Sequence, residues 1–356
     1  MLDARKARQR APARRSGQPP DDEAPVQAVL LLSRRADREL DLLTRSLTAA
    51  GVPVTRLDAE SAASAGLVVD LASRTVLVRG RLIRPTVTWI RHFTARAMPS
   101  RPGSLRRIFA AQSWHALAGQ LDAIGGAAIN PRVPGLLTQL EVARAHGIAV
   151  PRTVVSTDPA AAAARLGSGK VVIKALDQHF VEARPGRLSG VFAEVTTMDA
   201  IMSGAGGSYP PVVLQEFIEH EAEIRAYYVS GLVATFAVIK SDPAQPWTDP
   251  DRVSVAEVEP PPLVAAAAGG LAAALGIDYG AFDFLIARDV PVFLEVNVTG
   301  DWSWIEAKAG SAPVSAAVAA MLKDRHDQVT AGSGAPRRAA LDLVTFLSGR
   351  DRPDRS

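Results

Sequence analysis

The chain contains no cysteine. That absence removes disulfides, thiolate nucleophiles and zinc–thiolate centres together. Its six histidines form no H-x-x-H or H-E-x-x-H spacing, so zinc hydrolase chemistry is disfavoured. No G-x-S-x-G elbow is present. The longest apolar stretches, such as Leu263 to Leu275, are alanine-rich, contain glycine and fall short of the roughly 20 residues that cross a bilayer; no membrane span is expected. The first 20 residues carry Arg5, Lys6, Arg8, Arg10, Arg14 and Arg15, but no apolar region follows before Asp21-Asp22-Glu23, so no secretory signal is expected. Lys and Arg total 40 against 37 Asp and Glu. The excess of +3 is small and sits largely in the N-terminal tail, which leaves no nucleic-acid footprint. Nothing here requires oxidation, and the default compartment is cytoplasmic.

What is present is a chain of 356 residues, 47% hydrophobic and 22% charged, long enough for two or three subdomains around substantial cores. Residues 1–25 mix Arg, Pro, Gly and acids without periodicity and read as a disordered basic tail. Residues 26–130 read as an α/β domain. Ala28 to Leu32 is a buried strand, Arg38 to Ala50 an amphipathic helix closed by Gly51, and Val52 to Leu57 a second strand. Short runs at Gly66–Leu71, Thr75–Val78 and Val87–Ile90 follow, then a helix from Ser104 to about Ile124 and a strand at Ala127–Asn130. Pro131 to Gly135 interrupts the pattern before a helix from Leu136 to His146. Residues 131–210 form a central subdomain, with strands at Thr153–Val155, Val171–Lys174 and Gly190–Thr196. Residues 211–327 form a C-terminal subdomain, with a strand at Val212–Phe217 and hairpins at Glu223–Lys240 and Tyr279–Asn297, turning at Ser230-Gly231 and Ala287–Asp289. Residues 328–356 read as a polar tail with a brief helical pattern at Arg338–Leu347. The body is antiparallel α+β rather than a Rossmann repeat.

Three features could carry chemistry. In a hairpin, side chains on one face recur every second residue, so Glu295 and Asn297 share a face that Asp283 on the paired strand can join. Two carboxylates and an amide are hard oxygen donors of the kind Mg²⁺ takes alongside nucleotide phosphates; they equally suit the solvent face of an ordinary hairpin. Lys174 ends an apolar strand, where a cation can neutralise phosphate charge or simply be solvated. The segment Leu214-Gln215-Glu216-Phe217-Ile218-Glu219 leaves a strand as an extended chain. It can offer backbone groups to an adenine edge, with Glu219 or Glu221 near a ribose and Arg225 placed for a phosphate oxygen; an edge strand with a surface salt bridge looks the same. Between Lys174 and Val195, the run Asp177 to Gly190 contains glycines that would suit a lid over phosphates, though it is no Walker motif.

Taken in order, a strand ending in Lys174, then Leu214–Phe217, Glu223-Ile224-Arg225, and Asp283 with Glu295-Val296-Asn297, resembles the ATP-grasp superfamily of carboxylate-amine ligases. Asp278-Tyr-Gly-Ala-Phe-Asp283, Phe293-Leu-Glu-Val-Asn297 and Thr299-Gly-Asp-Trp302-Ser-Trp304-Ile-Glu306 narrow the resemblance to ribosomal peptide maturases that make graspetides such as microviridins. Val87-Thr-Trp89-Ile-Arg91-His92 is similar to that family's Trp-Tyr-Arg-Arg segment, and the resemblance spans about 27–322. It implies a pre-ATP-grasp α/β domain followed by a two-lobed ATP-grasp body with antiparallel sheets, and ATP and Mg²⁺ as cofactors. Lys174 and Arg225 would act on the phosphates, and Gln215, Glu216, Phe217, Ile218, Glu219 and Lys240 would line the nucleotide site. Asp283, Glu295 and Asn297 would hold the metal. The substrate would be a ribosomally made precursor peptide, leader plus core, whose Asp or Glu side chain is phosphorylated and then attacked by a Ser or Thr hydroxyl or a Lys amine. Dimers are common among such relatives, and neither nucleic acid nor membrane is an expected partner. The chain departs from the pattern at Leu136, where many relatives carry an ATP-contacting lysine that Lys240 or Arg144 could replace. It departs also at Val298 for proline, at Asp301 for glutamine, and at Ile90-Arg91-His92. Two other readings share these residues: a ligase for small molecules, amino acids or a protein tail, and a non-catalytic ATP-grasp scaffold.

Overall fold

The computed structural model describes residues 24–94, 105–167, 169–176, 180–184, 187–190, 193–204, 210–240 and 252–332. The tail at 1–23, the helical pattern at 338–347 and part of the candidate lid at 177–190 lie outside them.

The first sheet is built from β1 (Val26–Ser33), α1 (Arg38–Ala49), β2 (Val54–Asp58), α2 (Ala59–Ala62), β3 (Val68–Asp70), β4 (Thr75–Val78), β5 (Arg81–Ile90), α3 (Leu105–Ala118) and β6 (Ala127–Ile129). Its order is β2-β1-β5-β4-β3, with β6 against the far end of β5. Asp37 caps α1 by accepting from Leu40 N at 3.2 Å, and Leu40, Leu43 and Leu47 bury one face of the helix. Two expectations change here. Strand β5 begins at Arg81 rather than Val87, running through Pro85. Proline cannot donate to a ladder, and it is tolerated because the pairing with β1 shifts by one residue between Ala28 and Val29, beside it. The helix expected over 104–124 ends at Ala118, and a separate 3-10 turn spans Leu121–Ala123.

Helix α4 (Leu136–Ala145) leads to the second sheet: β7 (Thr153–Ser156), α5 (Pro159–Leu166), β8 (Lys170–Lys174), β9 (Phe180–Arg184), β10 (Arg187–Gly190), β11 (Glu194–Thr197), α6 (Met198–Gly204) and β12 (Val212–Glu216). Strands β11-β8-β12-β7 pair antiparallel in that order, while β9 and β10 form their own hairpin. The single strand expected at 190–196 is therefore two, β10 and β11, in different sheets.

The third sheet, β13 (Ala222–Val229), β14 (Leu232–Lys240), β15 (Val253–Val258), then after α7 (Pro262–Leu275) β16 (Tyr279–Ala287) and β17 (Val290–Asn297), runs β15-β14-β13-β16-β17, all antiparallel. Both expected hairpins form; Ser230, Arg288 and Asp289 have positive φ at the turns and Gly231 has φ +102°. Helices α8 (Ser303–Ala309) and α9 (Pro313–Gly332) are the last of the described elements. The last of these continues helically to Gly332, past the expected onset of a tail at 328.

Both faces of this sheet are covered. Ile224, Ala226, Phe282, Phe284 and Phe293 pack on α4 and α7. Tyr227, Phe236, Tyr279 and Ala281 pack with Trp302, Val318 and Leu322, and with Leu40, Val87 and Trp89 of the N-terminal sheet. Each Val, Leu, Ile and Phe among them contributes about 1.5–3 kcal/mol on burial, so the shared core ties the N-terminal sheet to the C-terminal one.

Candidate active site

One face of the third sheet changes from apolar to ionic along its strands. Period-two alternation puts Glu223, Arg225 and Tyr227 of β13 on the face that also carries Ala281 and Asp283 of β16. Arg225 lies opposite Asp283, and Asp283 opposite Glu295 of β17. The register shifts between Asp283 and Phe284, because Phe284 pairs with Phe293, leaving Leu294 as an extra residue. This bulge lets Phe293 and Val296, three residues apart, both enter the apolar core, while Glu295 and Asn297 between and after them face the ionic cluster.

Across the gap stands β8 of the second sheet. Buried Lys174 places Nζ 2.7 Å from Glu295 Oε2. Arg225 Nη1 donates to Asp283 Oδ1 and Oδ2 at 3.0 and 3.3 Å. Asn297 Nδ2 donates to Asp283 Oδ2 and Glu295 Oε1, both at 3.3 Å, and Lys240 pairs with Glu223. Glu223 Oε1 also lies 3.1 Å from His220 Nε2, which raises the imidazole pKa. Burial, reinforced by Glu295, pushes the Asp283 carboxyl up to about 6, against the pull of Arg225. Burial works against the Arg225 charge, but Asp283 and Tyr227 hold its pKa above the usual guanidinium range. Three cations thus interleave with three carboxylates. Such an array can exchange partners: a divalent cation could take the carboxylates while phosphate oxygens take Lys174, Arg225 and Lys240.

Among the described residues no group of three or more His, Cys, Asp or Glu side chains is arranged to hold a metal ion. The donor set is instead two carboxylates and the Asn297 amide, whose NH₂ now bridges them; turning that amide presents its oxygen, giving three hard oxygen donors that fit Mg²⁺.

The segment expected to line a nucleotide base begins in the last two residues of β12 and runs on beyond it. Gln215 is buried and donates to Thr153 Oγ1 at 3.0 Å. Glu216 Oε1 accepts from Arg152 N at 2.7 Å, so its carboxylate braces the β7 edge. Phe217 N donates to Lys170 O, and the Lys170 ammonium stands 5.3 Å from the Phe217 ring centroid. The Ile218 carbonyl lies 2.7 Å from His220 Nδ1. Glu219 is exposed beside Lys170 at 3.5 Å, and Glu221 accepts from Arg288 N at the β16–β17 turn.

Several solved structures share this architecture. The macrocyclase MdnC from Microcystis aeruginosa MRC, bound with precursor peptide MdnA, superposes with a TM-score of 0.68 at 22% identity, over 83% of this chain and 99% of that one. A Chryseobacterium gregarium RiPP-associated ATP-grasp ligase, in complex with ADP and a leader and core peptide, gives 0.66 at 20%, over 88% and 98%. The ATP-grasp ligase PsnB, complexed with a phosphomimetic minimal precursor, Mg and ADP, gives 0.63 at 17%, over 85% and 99%. The chain has the ATP-grasp fold. No protein-family model and no curated protein matches it in sequence.

Within this ATP-grasp fold, Lys174, Arg225, Lys240, Asp283, Glu295 and Asn297 come together, whereas Glu219 and Glu221 stand apart from the ionic cluster, in surface and turn contacts. The expected run 215–219 takes in the end of β12, the strand paired with the one that ends at Lys174, and the chain beyond it. Two further groups lie outside the expected site residues. Tyr227 follows Arg225 by two residues, so its place on the same face was available from alternation alone. The second is a buried ionic knot at the junction with the N-terminal sheet. Arg91, at the end of β5, has a fully buried side chain; its Nη2 lies 2.6 Å from Glu39 Oε2 and 3.1 Å from Asp301 Oδ1. Among the described residues its Nε and Nη1 make no hydrogen bond; Nε lies 3.8 Å from the buried Asp37 carboxylate, and the guanidinium carbon sits 4.4 Å from the Trp302 ring centroid and 5.2 Å from that of Trp89. Burial works against the Asp301 charge, but His92, Arg91 and Arg34 hold its pKa down at about 2. No local pattern marks this knot, because Glu39, Arg91 and Asp301 are far apart in the chain.

Proposed function

We propose that this protein is an ATP- and Mg²⁺-dependent ligase that activates Asp or Glu side chains of a ribosomally made precursor peptide as acyl phosphates and joins them to hydroxyl or amine side chains, forming ester or amide crosslinks. The observation that carries the reading is the interleaved cluster of Lys174, Arg225 and Lys240 with Glu223, Asp283 and Glu295, set between two antiparallel sheets in a fold shared with precursor-bound ligases.

In this reading Asp283, Glu295 and Asn297 hold Mg²⁺, which when bound would screen the nucleotide phosphates as a Lewis acid. Lys174 and Arg225 offset charge on the phosphoryl group as it passes from ATP to the peptide carboxylate, leaving ADP. Attack by a hydroxyl or amine on the acyl carbon then expels phosphate, so each crosslink removes one water from the peptide. Two sheets facing across the site hold donor and acceptor in register, and orientation of this kind is worth effective molarities of about 10⁵ M or more. Leu136 is buried against Leu140 and the β16–β17 core, which favours Lys240 over α4 as the source of the additional cation.

The test is intact-mass spectrometry of a precursor peptide encoded beside this protein, co-expressed with the wild type or Glu295→Ala. Loss of one water mass per crosslink with the wild type alone supports the reading. An unchanged peptide, with a folded protein that binds ATP, would redirect it to a small-molecule acceptor or a scaffold role.

A further inference from the structure

The nucleotide site and the buried ionic knot are joined by one short segment, residues 299–302. From the site side, Arg225 Nε donates to the Tyr227 hydroxyl at 3.0 Å, and that hydroxyl donates to the Asp301 carbonyl at 2.6 Å. The Tyr279 hydroxyl donates to the Gly300 carbonyl at 2.5 Å. Gly300 lies so close to the cluster that a Cβ there would stand 2.7 Å from Ala281 Cβ and 3.1 Å from both Arg225 Nη2 and the Asn297 carbonyl. From the other side, Arg91 Nη2 donates to the Thr299 carbonyl at 3.2 Å and approaches that of Gly300 at 3.4 Å. Glu39 of α1 accepts from the backbone of Trp302 and Ser303. Trp302 stacks parallel to Trp89 of β5 at 6.2 Å.

We infer that Arg91 is a positioning residue for the nucleotide site: through 299–302 and Tyr227 it fixes where Arg225 and Asn297 stand, so the packing of the N-terminal sheet is read out as nucleotide affinity. The inference rests on the ligase reading for what Arg225 binds, but the mechanical link stands on this geometry alone. A displaced Gly300 carbonyl releases Tyr279, and a displaced Asp301 carbonyl releases Tyr227, whose hydroxyl accepts from Arg225 Nε. Arg91 has no rotameric freedom to follow such a shift, because both indoles and Glu39 enclose it.

The experiment compares wild type, Tyr227→Phe, Arg91→Lys and Asp278→Asn by titration with a fluorescent ATP analogue plus Mg²⁺ and by amide hydrogen exchange of 222–229 and 297–303. Tyr227→Phe and Arg91→Lys should weaken nucleotide binding about tenfold, the loss of one charge-assisted positioning bond, and loosen both segments together. Asp278→Asn removes a tie elsewhere on the same interface, Asp278 Oδ1 to Arg325 Nη2 at 2.6 Å, and should change neither readout, even if it lowers the melting point. Arg91→Lys leaves buried acids poorly paired and can prevent folding; in that case Tyr227→Phe decides. Wild-type affinity in Tyr227→Phe, or loosening of 297–303 with 222–229 unchanged, overturns the inference. A wild type that binds no nucleotide sinks the ligase reading instead, and coupled exchange of the two segments then still decides the link.

Discussion

Replacing Lys174 by methionine separates the two halves of the buried pair on which the site is balanced. Lys174 Nζ and Glu295 Oε2 are 2.7 Å apart, with side chains 6% and 16% exposed. At an effective dielectric of about 20 that separation gives about 6 kcal/mol of gross attraction. Lost hydration of both ions and the ordering of a long lysine consume much of it, so a net coupling of about 3 kcal/mol is expected. In Lys174→Met, Glu295 remains beside Asp283 with the Lys174 ammonium removed, and folding stability should fall by about 3 kcal/mol. Glu295→Gln should cost a similar amount by leaving Lys174 buried and unmatched. The double variant, with neither charge, should cost far less than the sum. Urea unfolding of the four proteins measures the cycle, with the slope checked for constancy. Strictly additive losses would show that the pair is not coupled and would refute the account of a charge-balanced, partner-exchanging site. Saturating Mg²⁺ and nucleotide should recover much of the Lys174→Met loss, because a divalent cation on Glu295 replaces the missing ammonium.

Burial pushes the Asp283 carboxyl up to about 6, and its protonated form competes with a cation. Mg²⁺ affinity should therefore be nearly full at pH 7 and fall about tenfold by pH 5; calorimetric titration checks this, and a flat profile would reject Asp283 as a ligand. Asp283→Asn should abolish turnover while leaving the far-UV circular dichroism spectrum unchanged. Gly126→Ala would set a Cβ 2.4 Å from Val329 Cγ1 and 3.0 Å from the Thr86 carbonyl, pushing α9 off the first sheet at a cost of about 1–3 kcal/mol. Val329→Ala should rescue part of that loss in a thermal melt, and an unchanged melting point for the single variant would contradict the close packing.

Local chemistry alone determined much of this protein. Alternation in Glu223–Arg225 and Glu295–Asn297, and the turns at Ser230-Gly231 and Arg288-Asp289, were enough to place both hairpins and to align Asp283 with its partners, because a strand's period and a tight turn depend on near neighbours only. The α-helix at Pro262–Leu275 was visible only as an apolar stretch, since alanine and glycine supply little facial contrast. The extension of β5 through Pro85 was hidden because a proline is tolerated there only by virtue of a register shift with β1. Tertiary structure alone decided the rest. The bulge at Leu294 exists because one apolar core and one ionic face must be satisfied together. Lys174 meets Glu295 across 121 residues of chain, and Arg91 gathers Glu39 and Asp301 from distant parts of the sequence. Such ion pairs leave no local trace, because what makes a buried charge tolerable is a partner whose position only the assembled fold defines.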